Sequence, residues 1–176
     1  MAIRTIVKDG DPILKKVCRP VTDFNEKLAT LLDDMGDTMI AANGLGLAGP
    51  QVGMMRRVFV VLDQYIDEDD NEVDEIIEFV NPEILEKSEE TITSFEGCLS
   101  FPGKNGLITR PAYVRAKAQD RNGEWFEIEA EGILARAICH ENDHLNGITV
   151  LDNANTFFED LTPEQLKAIQ ELEDYE

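Results

Sequence analysis

Only two histidines occur among the 176 residues of the chain, and both lie in His140-Glu141-Asn142-Asp143-His144. Two randomly placed histidines fall four apart in roughly 1% of chains this long, before a glutamate is required beside the first. Ile133 to Leu145 carries apolar residues at helical period, with Gly147 placed just past the end as a left-handed cap. On such a helix residues i and i+4 share one face, so both imidazoles can hold one metal ion. Glu141, about 100° around the axis, reaches water at that ion without being a ligand. The chain must therefore fold so as to bury a polar centre on one helix face, and the chemistry of that centre suits metal-assisted hydrolysis.

With no third histidine, the next ligand has to be a thiolate or a carboxylate, which excludes any three-histidine zinc scheme. The three cysteines, Cys18, Cys98 and Cys139, are odd in number and widely spaced, as free thiols in a reducing compartment are. Cys139 adjoins His140 but points about 100° away from it on the helix, and Cys18 has no polar constellation around it. Cys98 stands apart, in Glu96-Gly97-Cys98-Leu99-Ser100, a small-residue turn after a strand where backbone can approach a metal closely. A third feature, Gly44-Leu45-Gly46-Leu47-Ala48-Gly49-Pro50-Gln51, lacks the Lys and Ser or Thr of a phosphate-binding loop. It reads as a turn whose glycines let a substrate backbone lie close, with the Gln51 amide offering N–H to a developing oxyanion.

Taken together, these three segments resemble, in order and spacing, the three motifs of the peptide deformylase family. Asn81-Pro82-Glu83 before the second motif and Leu145-Asn146-Gly147 after the third extend the likeness from Ile13 to about Asp152. The resemblance implies an α+β fold in which mixed or antiparallel sheets pack around a central metal-binding helix, with an N-terminal and a C-terminal helix. It implies one divalent metal per chain, ferrous iron natively and zinc, nickel or cobalt in preparations, held by Cys98, His140 and His144. The implied reaction removes the N-formyl group from the N-terminal formylmethionine of nascent polypeptides. Water activated by the metal attacks the formyl carbon, Glu141 acts as base and then acid, and Gln51 with the Leu99 backbone N–H forms the oxyanion hole. Gly46 would pair with the substrate backbone, while Leu45, Ile133 and Ala137 wall a pocket for the methionine side chain. Four positions depart from the family pattern. Gly49 stands for a usual Ala and would loosen the loop carrying Gln51, Cys139 for Gln, Asn142 for an apolar residue, and Asn105 where some members carry an Arg.

The remaining expectations come from composition and pattern. Length suits a single domain over residues 1–176, which buries roughly 70% of the surface its unfolded chain exposes. A net charge of -20, from 16 basic against 36 acidic residues, disfavours direct nucleic-acid binding. Apolar runs are too short for a membrane span, and the first residues carry neither signal nor transit composition, which reads as a cytoplasmic protein. A helix is expected from Asp23, as cap, to Ala42, stopped by Asn43-Gly44. Strands are expected at Val58–Val61 and Ile76–Val80, joined by a long acidic loop at Asp67–Asp74, with Asn81-Pro82 ending the second. Others follow at Glu90–Phe95, Ala112–Gln119 and Trp125–Ala130, the last two turning at Asn122-Gly123. Thr162-Pro163-Glu164-Gln165 opens a final helix with a thin apolar face at Leu166, Ile169 and Leu172. Glu159, Asp160, Glu164, Glu171, Glu173, Asp174 and Glu176 make its surroundings acidic, so ribosome docking through that helix is disfavoured.

Three rival readings compete. Asp67, Asp69, Asn71 and Glu78 match positions of a calcium loop, but Glu72 replaces its required Gly and strands flank it. A purely structural metal site in an interaction protein would need neither Glu141 nor Gln51. A hydrolase of another small amide or ester differs only in substrate.

Overall fold

Alternation along two apolar runs sets the architecture, because successive strand residues face opposite sides of a sheet. The structure, a computed structural model, describes residues 2–173, with side chains through Glu171. In chain order the elements are α1 (Glu26–Ala41), β1 (Gly46–Ala48), β2 (Val58–Ile66), β3 (Glu72–Lys87), β4 (Thr91–Gly97), β5 (Asn105–Pro111), β6 (Tyr113–Gln119), β7 (Trp125–Glu131), α2 (Gly132–Leu145), α3 (Val150–Asn153) and α4 (Pro163–Glu173). Five strands form one sheet in the order β1-β2-β3-β6-β7, and β4 pairs with β5 in a second. All these pairings are antiparallel.

Val58 and Val60 of β2 point to one face, where Leu28, Leu31, Leu32, Met35 and Met39 of α1 pack on them. Phe59 and Val61 point to the other, where Ala135, Ile138 and Leu145 of α2 join Phe79, Val114 and Ala116. Helix α2 is thus held between the large sheet and the β4–β5 hairpin, and the α+β arrangement around a central helix is the one the chain adopts. A third cluster, Leu14, Phe101, Ile108, Val150 and Ala154, seals the hairpin against α3.

Several boundaries differ from expectation. Helix α1 starts at Glu26 because Asn25, not Asp23, caps it, its Oδ1 accepting from Leu28 N at 3.1 Å. At its end it is Asn43, with φ 56°, that turns left-handed, rather than the glycine after it. The acidic connection is shorter than Asp67–Asp74, since Glu72 pairs with Ile66 and Asp74 with Gln64. Asn81-Pro82 does not end β3. Asn81 adopts φ 50° within a register shift between Val80 and Glu83 and the strand continues beyond it, as bulges permit for proline. The Asn81 amide fixes that bulge by accepting from Val21 N at 2.8 Å and donating to Val21 O at 2.9 Å and Gln119 Oε1 at 2.8 Å. Strand β1, strand β5 and the short α3 were not expected from the pattern. Thr162 and Gln165 do cap α4 reciprocally, and Leu166 and Ile169 are half-buried. The Leu172 and Glu173 side chains, and all of Asp174 and Glu176, lie outside what the structure describes. No helix among those described is long and apolar enough to cross a membrane.

Candidate active site

Helix α2 brings His140 and His144 to one face, with ring centroids 5.0 Å apart. The end of β4 delivers Cys98, whose Sγ lies 3.3 Å from His144 Nε2. The ligand atoms of Cys98, His140 and His144 all fall within 4.8 Å of one another, and they are the sole such group among the described residues. That spacing suits one ion with ligands near 2.0–2.3 Å. Cys139 takes no part; it is buried against the large sheet, and burial pushes its thiol up, as it does for Cys18. The acidic loop offers no comparable centre, because the Asp67 carboxylate is turned onto its own backbone, accepting from Asp69 N and Asn71 N at 2.9 Å.

A second-nitrogen partner orients His140, whereas His144 Nδ1 is buried with no hydrogen-bond partner. His140 Nδ1 lies 2.8 Å from Glu96 Oε1, which fixes the proton on Nδ1 and leaves Nε2 free to ligate. Glu96 is buried and accepts from Arg110 in bidentate fashion, at 2.9 Å for both bonds, and from Arg136. Burial alone would raise the Glu96 carboxyl, but the bonds from His140 and Arg110 outweigh it and hold it down at about 2. Arg110 reaches on to Asp143 at 2.6 Å, tying hairpin to helix. Motif reading gave none of Glu96, Arg110, Arg136 or Asp143 a role. Glu96 was within the second motif, near the end of β4 and two residues before Cys98. The arginines carried no local signal.

Glu141 is buried, and its Oε2 has no hydrogen-bond partner. Its Oε1 stands 3.9 Å from His140 Nε2. Burial pushes the carboxyl up to about 7, against the opposing charge of His140. Gly46 makes room for this carboxylate, since a Cβ there would come within 2.5 Å of Glu141 Oε1. We expect Gly46→Ala to displace Glu141 and lower turnover at least about tenfold with little change in thermal stability, measured as steady-state rates beside a melting curve.

Gln51 is buried beneath the same centre. Ala48 N donates to its Oε1 at 2.9 Å, so its amide N–H points toward Cys98 Sγ at 3.5 Å and Ser100 Oγ at 3.2 Å. Gly49 does not loosen this loop. A Cβ there would meet the Met54 and Arg56 carbonyls at 2.7 Å, and Met54 N donates to Gly49 O at 2.9 Å, so glycine permits a tight turn. The N-terminal segment, unassigned by motif reading, bridges the two loops. Val7 N donates to Gln51 O at 2.7 Å, Asp9 N to Ser100 O at 2.9 Å and Lys8 Nζ to Leu99 O at 3.1 Å.

These groups line a cleft of about 680 Å³. Gln51, Cys98, Leu99, His140 and Glu141 stand in its wall together with Leu45, Gly46, Ile133 and Ala137. His144 is buried behind Cys98. Leu45 and Ile133 are 43% and 70% exposed, apolar surface left uncovered at a cleft. Along the rim runs β1, an edge strand with one side unpaired. Asn105 also faces the cleft, whereas Asn142 lies outside it with a buried, unpartnered Oδ1.

The model of the polypeptide deformylase family matches residues 3–158. The chain belongs to that family. It is 48% identical to the peptide deformylase of Agathobacter rectalis over 165 residues, which cover 93% of this chain and 98% of that one. To the Clostridium botulinum peptide deformylase it is 49% identical over 152 residues, 86% of this chain and 97% of the relative. Among solved structures, the peptide deformylase of Thermotoga maritima superposes with a TM-score of 0.79 at 39% identity, covering 89% of this chain and all of the other. A class I type b peptide deformylase from Acinetobacter baumannii, solved with Met-Ala-Ser bound, gives 0.78 at 36% identity over 86% of this chain and 98% of that one.

Proposed function

We propose that this chain, as one catalytic domain over residues 1–176, removes the N-formyl group from the formylmethionine of nascent polypeptides in the cytoplasm. The observation that carries this reading is a Cys98, His140 and His144 group beside an unpartnered, buried Glu141 carboxylate in a cleft bordered by a free strand edge. These two nitrogens and one sulfur would hold one divalent ion, with ferrous iron as the native metal and zinc, nickel or cobalt able to replace it. A cation bound there supplies Lewis acidity, polarising a carbonyl and acidifying water.

The chain's own residues then divide the work. The free edge at Gly46 pairs with the extended substrate backbone, in the manner of strand addition. Leu45, Ile133 and Ala137 receive the methionine side chain, burying apolar surface that is otherwise wet. Gln51 Nε2, oriented by Ala48, donates with the Leu99 backbone N–H to the oxygen of the formyl group as it gains charge. Glu141 takes the proton of the attacking water and passes it to the leaving amine. The Met-Ala-Ser complex of the Acinetobacter baumannii relative supports a peptide substrate of this length. The excess of acid, including Glu159, Asp160, Glu164 and Glu171, supports a substrate reached without binding to phosphate backbones.

The test is anaerobic release of formate from formyl-Met-Ala-Ser by iron-loaded protein, beside acetyl-Met-Ala-Ser. Rapid formate release, little deacetylation and loss of activity on chelation are expected. Equal turnover of both peptides, or none by metal-filled protein, would sink the reading in favour of another amide substrate or a purely structural metal. Ala137→Phe should raise KM for the formyl peptide on the order of tenfold by filling the methionine pocket; an unchanged KM would remove Ala137 from it.

A further inference from the structure

One wall of the cleft is held from outside by a segment lying at the end of the family match, which stops at residue 158. Residues 154–159 run along β5. Leu107 N donates to Thr156 O at 2.8 Å, Gly106 bridges Phe157, and a Cβ at Gly106 would come within 2.5 Å of Ala154 Cβ. Phe158 packs edge-on against Phe95 at 5.4 Å, and Phe95 lines the cleft. The next residue, Glu159, closes on Asn105. Its Oε1 accepts from Asn105 N at 3.0 Å and from Asn105 Nδ2 at 2.8 Å, while Oε2 lies 3.2 Å from the same backbone nitrogen.

Asn105 is the first residue of β5 and pairs with Gly97, the last of β4. Between them lies the loop that carries Cys98 and Leu99. With Lys104 and Gly103, Asn105 forms a part of the cleft wall distinct from the apolar walls formed by Leu45, Ile133 and Ala137. By accepting from the backbone and the side-chain amide of Asn105, the Glu159 carboxylate leaves Asn105 Oδ1 facing Gly97, where it lies 3.0 Å from the place a Cβ would occupy.

We propose that Glu159 is a positioning residue for substrate binding, holding Asn105 so that the β4–β5 wall is set for the peptide residues that follow methionine. The inference rests on the deformylase reading. It assigns the segment after α3 a part in binding longer peptides, separate from chemistry at the metal centre. Because Thr156, Phe157 and Phe158 hold the same hairpin, removing one carboxylate leaves the wall attached but less well fixed.

Metal-loaded wild type, Glu159→Ala and Glu159→Gln are to be compared on formyl-Met amide and formyl-Met-Ala-Ser, alongside hydrogen exchange at the Asn105 amide. For Glu159→Ala, KM for the tripeptide should rise about threefold to tenfold, the scale of one or two exposed hydrogen bonds, and exchange at Asn105 should quicken. Its kcat, metal content and KM for formyl-Met amide should stay as in wild type. Glu159→Gln, which keeps an acceptor for Asn105, should recover most of the tripeptide KM. An unchanged tripeptide KM, or an equal shift for both substrates, would overturn the proposal while leaving the activity in place. A wild type that deformylates neither substrate would instead bring down the functional reading on which the proposal stands.

Discussion

Glu141→Gln is expected to cut formate release about a thousandfold while metal content and melting temperature stay close to wild type. The amide keeps the shape of the carboxylate and fits beside Gly46, but it cannot accept a proton. Glu141 is no member of the Cys98, His140 and His144 group, so its exchange leaves the donor set whole. It also makes no hydrogen bond through Oε2, so little folding energy depends on it. Steady-state kinetics on metal-matched samples decides the matter. A loss of less than tenfold would assign proton transfer to solvent, and a loss that tracks missing metal would make Glu141 part of the metal's holding structure.

Glu96→Ala should show the opposite pattern, a large cost in stability together with loosened metal. Arg136 would be left facing no carboxylate and Arg110 would keep only Asp143, and removing one partner of a buried ion pair costs about 3–5 kcal/mol. His140 would lose the acceptor that fixes its tautomer, a change that lowers metal affinity about 10–100-fold in comparable sites. Urea denaturation and metal titration measure the two effects separately. Glu96→Gln, which keeps acceptor and shape but not charge, should fall between. A Glu96→Ala protein as stable as wild type would mean that water reaches the arginines and that the cluster is not dry.

The legible part of this protein was the part written locally. His140 and His144 share a helix face by spacing alone, and Gly46, Gln51 and Cys98 sit in short glycine-bearing segments that mark close backbone approach. The sheet faces of 58–61 and 76–80 follow from alternation. What escaped depended on partners distant in sequence. Arg110 carries no signal of its own until β5, a strand not expected from the pattern, is placed opposite β4 and Glu96. Proline at 82 argues for the end of a strand, yet Asn81 makes it tolerable by bonding to Val21 and Gln119, neither of which is near it in the chain. Asp23, expected as the cap of α1, gives way to Asn25 two residues on, which accepts from Leu28 N. Glu159 had counted only as one more surface acid.

Glu96 and Cys98 belong to one strand end, two residues apart, and both meet the same helix through partners some forty residues later. The hairpin therefore cannot dock on α2 through its ion pairs without also presenting its sulfur, and it cannot withdraw the sulfur without breaking the ion pairs. Docking and ligand assembly become a single cooperative event, and a cation captured between strand end and helix acts as a crosslink whose strength adds to that of the salt cluster. Opening of β4–β5, followed by amide exchange, then becomes a direct gauge of how tightly the metal is held.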